Sequence, residues 1–327
     1  MQPRIFRINT SNKIEYTCGQ SLICTVIIPL LKEVSTLVNE KDSTATSSGS
    51  PFPNVSISVS DMTSRAIDIR MDILNMIAEG GSGHPGGSLS AVELLSALYF
   101  KTMRHDPNDP KWEYRDKFIL SKAHACPVLY AHLAHCGYFP IEELLTFRKI
   151  DSRIQGHSHI KTPGVEMSGG SLGQGLSFGL GAALSARLDT NQTRVYVLLG
   201  DGECDEGQIW EAAMAATHYK ADNLVAIVDR NRIQNDNWTK DVMNLEPLPD
   251  KWKAFGWNTV EIDGHNFSDI LNALGTAEKV KGQPTAIIAS TTKGKGVSFM
   301  ENNPDFHGKA PNPEQLDQAL TELENTR

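Results

Sequence analysis

Apolar runs of strand length alternate with helical patterns through most of the chain. Helical spacing of apolar residues occurs, for example, over residues 91–103 and 141–148. The strand-like runs are FIL (118–120), VYVLL (195–199), NLVAIV (223–228), TVEID (259–263) and PTAIIAS (284–290). Nearly continuous apolar strands with helices between them are typical of a parallel sheet that is covered on both faces. The pattern therefore predicts an α/β fold, a parallel sheet with helices on both faces.

The pattern changes near residue 60. Residues 41–60 are rich in Ser, Thr and Pro, a composition typical of a linker. From Asp61 onward apolar residues return at helical spacing, with Asp61 as a candidate N-cap and Gly80 as a stop signal. We therefore expect residues 1–60 to be a poorly ordered tail and linker and residues 61–327 to be the folded domain, closed by an amphipathic helix within 311–325.

Composition narrows the classes of function. A chain of 327 residues with 40% hydrophobic content can bury one large α/β core or two modest ones. The net charge of −8 leaves no basic footprint, so small-molecule chemistry is favoured over nucleic-acid binding. Five cysteines without a CxxC pair indicate neither a disulfide framework nor a zinc site and favour a reducing, cytoplasmic setting. The longest apolar run, 22–31, is about half as long as a membrane helix, so we expect no membrane span.

An acidic turn follows the strand predicted at 195–199. In GDG (200–202) the glycines let a ligand approach the backbone, and the helix that begins near Glu206 directs its positive end to the same place. The next strand is followed in the same manner by Asn231 and Ile233. Because the carboxyl ends of parallel strands meet at one edge of a sheet, Asp201, Asn231 and the carbonyl of Ile233 are predicted Mg²⁺ ligands, completed by phosphate oxygens and water. An ordinary turn in which Asp201 caps the helix stays open as the alternative.

The histidines fall into two groups. Those on helix faces are expected to be surface or structural residues: His132, His135 and His218. Those in Gly-, Ser- or Pro-flanked loops are candidates for hydrogen bonding to a diphosphate or to sugar hydroxyls and for proton transfer. These loop histidines are His84, His124, His157, His265 and His307. For any one of them a structural role is an equally good interpretation.

Five segments have the character of motifs that form a site. They are SGHPGGSLS (82–90), LSKAHACPVLYA (120–131), GHSHIKTPGVEMSGGSLGQGLS (156–177), GDGECDEGQIWEAA (200–213) and TTKGKGVSFMENNPDFHGKAP (291–311). In wording and order they resemble the thiamine diphosphate-binding domain of transketolases over roughly residues 61–311. The chain is most similar to the N-terminal subunit of transketolases of the split type, which implies the thiamine diphosphate-binding fold.

The resemblance also implies roles for individual positions. The catalytic set would be His84, His157, Glu206 and His307. The cofactor-binding set would be His124, Gly170, Leu172, Gly202, Glu206 and His307. Glu206 would couple two active sites, although an acid near a helix start is also favoured by the helix dipole. Lys293 or Lys295 would supply positive charge, with a solvated loop lysine as the alternative.

The function implied by the resemblance is ketol transfer. With thiamine diphosphate and Mg²⁺, such an enzyme moves a two-carbon unit from a ketose phosphate to an aldose phosphate, in carbohydrate metabolism such as the pentose phosphate pathway. The chain shows no counterpart of the pyrimidine-binding and C-terminal domains of a full transketolase. We therefore expect a separate C-terminal subunit as its partner, in a hetero-oligomer with two copies of each chain. The alternatives are a truncated gene product, a ketolase subunit for another ketose, or a non-catalytic module that retains the fold.

Overall fold

The computed structural model describes residues 57–235 and 237–327, together with the backbone of three two-residue strands nearer the N-terminus. The chain forms two compact units, Met1–Ser48 and Gly49–Arg327. In the first unit, β1 (Arg7–Ile8), β2 (Ile14–Glu15) and β3 (Thr25–Val26) form an antiparallel sheet in that order. The remainder of the expected tail and of the apolar run at 22–31 falls outside the described residues.

A five-stranded parallel sheet is the centre of the second unit. Its strands are β4 (Lys117–Leu120), β5 (Val195–Gly200), β6 (Leu224–Arg230), β9 (Asn258–Asp263) and β10 (Thr285–Ser290). The strand order is β4-β5-β6-β10-β9, and every neighbouring pair is parallel. A small antiparallel hairpin follows β6 and consists of β7 (Ile233–Gln234) and β8 (Asn237–Trp238). All of the strand-like apolar runs in the sequence are strands of this sheet.

The helices and short helical turns connect these strands. The α-helices are α1 (Val59–Glu79), α2 (Pro85–Leu89), α3 (Val92–Ala97), α4 (Cys126–His135), α5 (Gln174–Leu188), α6 (Gly207–His218), α7 (Thr239–Val242), α8 (Leu248–Ala254), α9 (Phe267–Lys279) and α10 (Pro313–Glu324). Shorter turns lie at Leu98–Thr102, Ala123–Ala125, Ile141–Thr146, Gly202–Asp205 and Pro304–Phe306. No helix in the described part of the chain is both long and apolar enough to cross a bilayer.

Alternate side chains of the strands face two separate apolar cores. On β6, for example, Val225 and Ile227 pack in a core with residues of α1, α3, α4, α9 and α10. Their neighbours Ala226 and Val228 pack on the opposite face with residues of α5, α6 and α8. This alternation follows from the two-residue period of a β-strand. The predicted α/β fold with helices on both faces is confirmed.

Two local predictions need correction. The N-cap of α1 is Ser58 rather than Asp61: the Ser58 hydroxyl accepts a hydrogen bond from the Asp61 amide at 3.0 Å, and the Asp61 carboxylate accepts one from the Ser58 amide at 3.2 Å. This reciprocal capping box puts Asp61 in the first turn. The helix predicted over 141–148 is a six-residue 3₁₀ helix, Ile141–Thr146, which ends because Phe147 leaves helical geometry with a ψ of 128°. The predicted stop at Gly80 is confirmed as the C-cap of α1.

We propose that the folded domain is independent of the first 56 residues. A truncation that begins at Ile57 keeps the capping box of α1 and the hydrogen bond from the Lys101 ammonium to the Ile57 carbonyl at 3.0 Å. It should therefore melt within about 4 °C of the full chain, whereas a truncation that begins at Asp61 should lose a further ~1 kcal/mol with the cap. Thermal melts of the three proteins test this. A melting temperature more than about 10 °C below that of the full chain, for the protein that begins at Ile57, would contradict it.

Candidate active site

A cavity of about 460 Å³ lies at the carboxyl ends of β5 and β6. All of the predicted catalytic, cofactor-binding and metal-binding residues line it: His84, His124, His157, Gly170, Leu172, Asp201, Gly202, Glu206, Asn231, Ile233 and His307. A larger groove of about 590 Å³ lies elsewhere, between α1 and the turn at Ile141–Thr146, and contains none of these residues. Because the predicted catalytic and binding residues line the smaller cavity, we identify it as the candidate site.

The three predicted metal ligands lie in two adjacent segments at one edge of the sheet: Asp201 follows β5, and Asn231 and Ile233 follow β6. The buried carboxylate of Asp201 accepts hydrogen bonds from the backbone amides of Gly202 at 2.8 Å and Arg232 at 2.6 Å. The side-chain oxygen of Asn231 accepts one from the Ile233 amide at 3.1 Å. Burial is the main cause that raises the pKa of Asp201 to about 7, and the neighbouring carboxylate of Asp229 adds to it. A buried carboxylate of this kind is suited to bind a cation, because the cation offsets the cost of burying its charge.

Asp229, the penultimate residue of β6, contacts Asn231 and is not among the predicted residues. It is fully buried, and its carboxylate accepts hydrogen bonds from the Lys122 ammonium, the Ser90 hydroxyl at 2.6 Å, the Thr291 hydroxyl and the Asn231 amide at 3.1 Å. Burial would raise the pKa of Asp229, but Lys122 and these hydrogen bonds lower it below its usual range. Asp229 thus stays ionised and orients Asn231, which leaves the carboxylate of Asp201 for the cavity.

Four histidine rings form a cluster in the cavity. The centroid of the His84 ring lies 4.9 Å from that of His124, 5.4 Å from that of His307 and 6.5 Å from that of His157. Burial is the main cause that lowers the pKa of each ring, and the positive charges of neighbouring side chains lower it further. The pKa of His84, for example, falls to about 4. All four rings are therefore neutral at pH 7. The buried Nδ1 atom of His84 has no hydrogen-bond partner among the described residues, which marks a place for a ligand group.

Of the two candidate lysines, Lys293 lies in the cavity and Lys295 does not. The buried ammonium of Lys293 donates hydrogen bonds to the Ile233 carbonyl at 3.0 Å and to Nδ1 of His307 at 2.7 Å. Burial first, and then the charge of Lys122, lower the pKa of Lys293 to about 8. Lys295 instead pairs with Glu301 at 3.2 Å. The positive charge in the cavity therefore comes from Lys293, with Lys122 beside it.

Glycines shape the rim where the two strand-end loops meet. A Cβ atom on Gly202 would lie 2.3 Å from the side-chain oxygen of Gln234, and one on Gly173 would lie 2.7 Å from Cβ of Glu206. Gly173 also has a φ of 83°, a conformation that favours glycine. Glu206 is the N-cap of α6, is exposed, and makes no capping hydrogen bond with its side chain. The structure thus leaves this carboxylate available at the rim of the cavity.

Further residues of the site are not predicted by the sequence patterns above. The buried carboxylate of Glu203 accepts hydrogen bonds from the backbone amides of Gly173 at 2.8 Å and Gly200 at 3.0 Å, and from the Ser121 hydroxyl. It therefore fixes the loop before α5 to the end of β5. Arg148 contributes to lowering the pKa values of His84 and His157, so its positive charge is close to that end of the cluster.

The remaining loop histidine, His265, lies outside the cavity. Its ring contacts Glu93 and the backbone of Thr292 instead. The prediction that His265 lies in the histidine cluster that binds the diphosphate is therefore wrong. The reason is the strand order: β9 is at the edge of the sheet and β10 separates it from β6, so the loop after β9 ends beside α3.

Comparison with known proteins assigns the chain to a family. The model of the thiamine diphosphate-binding domain of transketolase matches residues 62–324. The chain belongs to the transketolase family. Its protein relatives include the 6-deoxy-6-sulfo-D-fructose transketolase subunit SqwG of Clostridium sp. (strain MSTE9), 45% identical over 265 residues that cover 81% of this chain and 96% of the relative. An apulose-4-phosphate transketolase subunit of Phocaeicola vulgatus is 42% identical over 254 residues, which cover 78% of this chain and 90% of the relative.

Complete transketolases match over part of their length. Human transketolase is 40% identical over 256 residues, which are 78% of this chain and 41% of the human protein. The crystal structure of transketolase from Campylobacter jejuni superposes with a TM-score of 0.78 at 31% identity and covers 82% of this chain and 43% of that one. The resemblance to an N-terminal, thiamine diphosphate-binding transketolase subunit is thus confirmed, as are the thiamine diphosphate-binding fold and the function in ketol transfer.

Proposed function

We propose that this transketolase subunit binds Mg²⁺ through Asp201, Asn231 and the carbonyl of Ile233. The observation that supports the proposal is that two buried segments, one after β5 with Asp201 and one after β6 with Asn231 and Ile233, present these three oxygen donors side by side, joined by the hydrogen bond from the Arg232 amide to Asp201. In the described part of the chain, no group of three or more His, Cys, Asp or Glu residues is arranged to hold a metal ion. A single carboxylate with an amide oxygen and a carbonyl, completed by phosphate oxygens and water, is a donor set that suits Mg²⁺ rather than zinc.

The cofactor would lie between these two strand-end segments and the histidine cluster. We assign its binding to His124, Gly170, Leu172, Gly202, Glu206 and His307, with the ammonium of Lys293 as a further charge for the diphosphate. Thiamine diphosphate supplies the carbanion chemistry of ketol transfer when it is bound. The protein's contribution is to hold the metal, neutralise the diphosphate and exclude water around the reacting carbon.

His84 and His157 are the groups that we assign to the ketose. Both rings have lowered pKa values, so at pH 7 each presents one nitrogen that donates and one that accepts a hydrogen bond. Because both rings line the cavity, they can bind sugar hydroxyls and take or return a proton. With His307 and Glu206 they make up the proposed catalytic set.

A ketose phosphate as donor and an aldose phosphate as acceptor are the substrates that we propose. The charge of Arg148 near His84 and His157 favours sugars with an anionic group. A second candidate is a ketose with another substituent, because similar subunits are named for 6-deoxy-6-sulfo-D-fructose and for apulose-4-phosphate. A panel of phosphorylated, sulfonated and unsubstituted ketoses, assayed with one aldose phosphate, distinguishes these candidates.

The proposed assembly is a cytoplasmic hetero-oligomer. The partner would be a C-terminal transketolase subunit that carries the pyrimidine-binding domain, with two copies of each chain. Support comes from the names of similar proteins as subunits and from their lengths, which this chain covers by 96% and 90%. We propose neither nucleic acid nor a membrane as a partner, in line with the net charge of −8.

Calorimetric titration with thiamine diphosphate tests the proposed site. We expect binding in the presence of Mg²⁺ and at least about 100-fold weaker binding in EDTA, because without the cation the diphosphate would face the carboxylate of Asp201 directly. Thiamine without phosphate is the matched control and should bind weakly under both conditions. Equal affinity for thiamine diphosphate with and without Mg²⁺ would contradict the metal assignment.

A further inference from the structure

A polar network of largely buried side chains lies outside the cavity and has no assigned role. It consists of Arg70 on α1, Glu93 on α3 and His265 after β9, and none of the three lines the cavity. The Arg70 guanidinium donates two hydrogen bonds to the Glu93 carboxylate, at 2.7 and 2.9 Å. Nδ1 of His265 lies 3.0 Å from the second oxygen of that carboxylate. The three elements are thus joined through one carboxylate with an exposure of 8%.

The network holds the loop after β10 at two points. Nε2 of His265 accepts a hydrogen bond from the backbone amide of Thr292 at 2.8 Å. Nε of Arg70 donates one to the backbone carbonyl of Lys295 at 3.0 Å. Lys293 lies between these two points, and its ammonium is the one that reaches Ile233 and His307 in the cavity.

The hydrogen-bond pattern also determines the tautomer of His265. A backbone amide can only donate, so Nε2 of His265 must be the unprotonated nitrogen when it accepts from Thr292. Nδ1 then carries the hydrogen and donates it to Glu93. Burial would raise the pKa of Glu93, but Arg70 and His265 lower it to about 2, so the carboxylate stays ionised as an acceptor. A carboxylate that orients a histidine in this way is a recurrent means of fixing a ring beside a binding site.

We propose that Arg70, Glu93 and His265 are positioning residues that fix the Lys293 ammonium in the cavity and thereby set the affinity of the site for a diphosphate. This inference rests on the proposed function of the cavity. The physical reason is preorganisation: a lysine side chain loses much rotamer freedom on binding an anion, and a loop that is already held at both flanks reduces that cost. Lys293 is buried with an exposure of 2%, as expected of a side chain that is held in place.

The test compares two substitutions of His265 with a matched control. His265→Phe keeps an aromatic ring but can neither accept from Thr292 nor donate to Glu93, whereas His265→Gln keeps one acceptor and one donor. The control is His135→Phe, which removes a similar histidine–carboxylate pair: His135 lies 2.7 Å from Asp72, and its side chain is 14% exposed against 16% for His265. Thermal melts of all variants verify folding.

Calorimetric titration of each variant with thiamine diphosphate in excess Mg²⁺ is the measurement. We expect His265→Phe to weaken binding by about tenfold, His265→Gln to restore it to within about threefold of the wild type, and His135→Phe to leave it unchanged. In a Lys293→Met background, His265→Phe should change the affinity by less than about twofold, because its effect passes through the missing ammonium.

The possible outcomes separate this inference from the function on which it rests. If the wild type binds and His265→Phe binds equally well, the positioning role is wrong while the site stands. If His265→Phe weakens binding by the same factor with and without Lys293, its effect is structural and does not act through the lysine. If the wild type binds no thiamine diphosphate with Mg²⁺, either alone or mixed with a C-terminal transketolase subunit, the proposed function fails, and the inference fails with it.

Discussion

Replacement of Asp201 by alanine is expected to abolish Mg²⁺-dependent binding of thiamine diphosphate, with a loss of at least about 100-fold in affinity. Asp201 is the one carboxylate among the three proposed ligands; it has an exposure of 3% and lies after β5, beside the segment after β6 that contains Asn231 and Ile233. Without it, the cation would have to balance the diphosphate with an incomplete shell in a place from which water is largely excluded. Calorimetric titration with and without Mg²⁺ measures the effect.

Two further variants separate the loss of a ligand from a loss of local structure. Asp201→Asn retains a side-chain oxygen for the amide of Arg232 but loses the charge and the acceptor for the amide of Gly202, so it should fold and bind with an intermediate affinity. Asp205→Ala removes another cavity carboxylate, which is exposed and accepts a hydrogen bond from Gln234 at 3.1 Å, and should bind within about twofold of the wild type. The metal assignment is wrong if Asp201→Ala binds as tightly as Asp205→Ala.

The parts of the site that could be predicted directly follow apolar runs that the sequence marks as buried strands. Asp201 follows a buried strand, and Asn231 follows the neighbouring one, so the parallel sheet alone brings them to one edge. The same reasoning could have found Lys122 and Asp229, because each is a charged residue close to the end of an apolar run. Only the structure shows that they pair with each other, since 107 positions separate them along the chain.

The parts that could not be predicted depend on contacts between distant segments or on single backbone angles. Glu93 and His265 are separated by 172 positions, and their pairing depends on how α3 packs beside the edge of the sheet. Arg148 lies close to the histidine cluster, and its backbone has a left-handed φ of 62°, which no local pattern indicates. The sequence does not distinguish Ser58 from Asp61 as the N-cap, because both are good capping residues. Only the reciprocal hydrogen bonds in the structure decide between them.

The largest effect on turnover is expected from the partner: the purified chain should show no measurable ketol transfer alone and should gain it when a C-terminal transketolase subunit is added. Activation of the cofactor needs an acid at its pyrimidine ring. The carboxylates that line the described cavity are either proposed or observed to bind other groups, or are exposed to solvent. Asp201 is the proposed metal ligand, Glu203 is held by the amides of Gly173 and Gly200, and Asp205 and Glu206 are exposed. We therefore expect the activating acid to come from the partner's pyrimidine-binding domain.

This arrangement makes cofactor binding and the association of the two chains interdependent. If the diphosphate binds to this chain and the pyrimidine to its partner, thiamine diphosphate should tighten the complex by the same factor by which the partner tightens thiamine diphosphate. A coupled ketol-transfer assay with and without the partner, together with light scattering for the mass of the complex, measures both effects. The partner mixed with the Asp201→Ala chain is the control and should stay inactive. Robust turnover by the isolated chain, free of contaminating transketolase, would show that the activating acid lies within residues 1–327 and that the requirement for a partner is wrong.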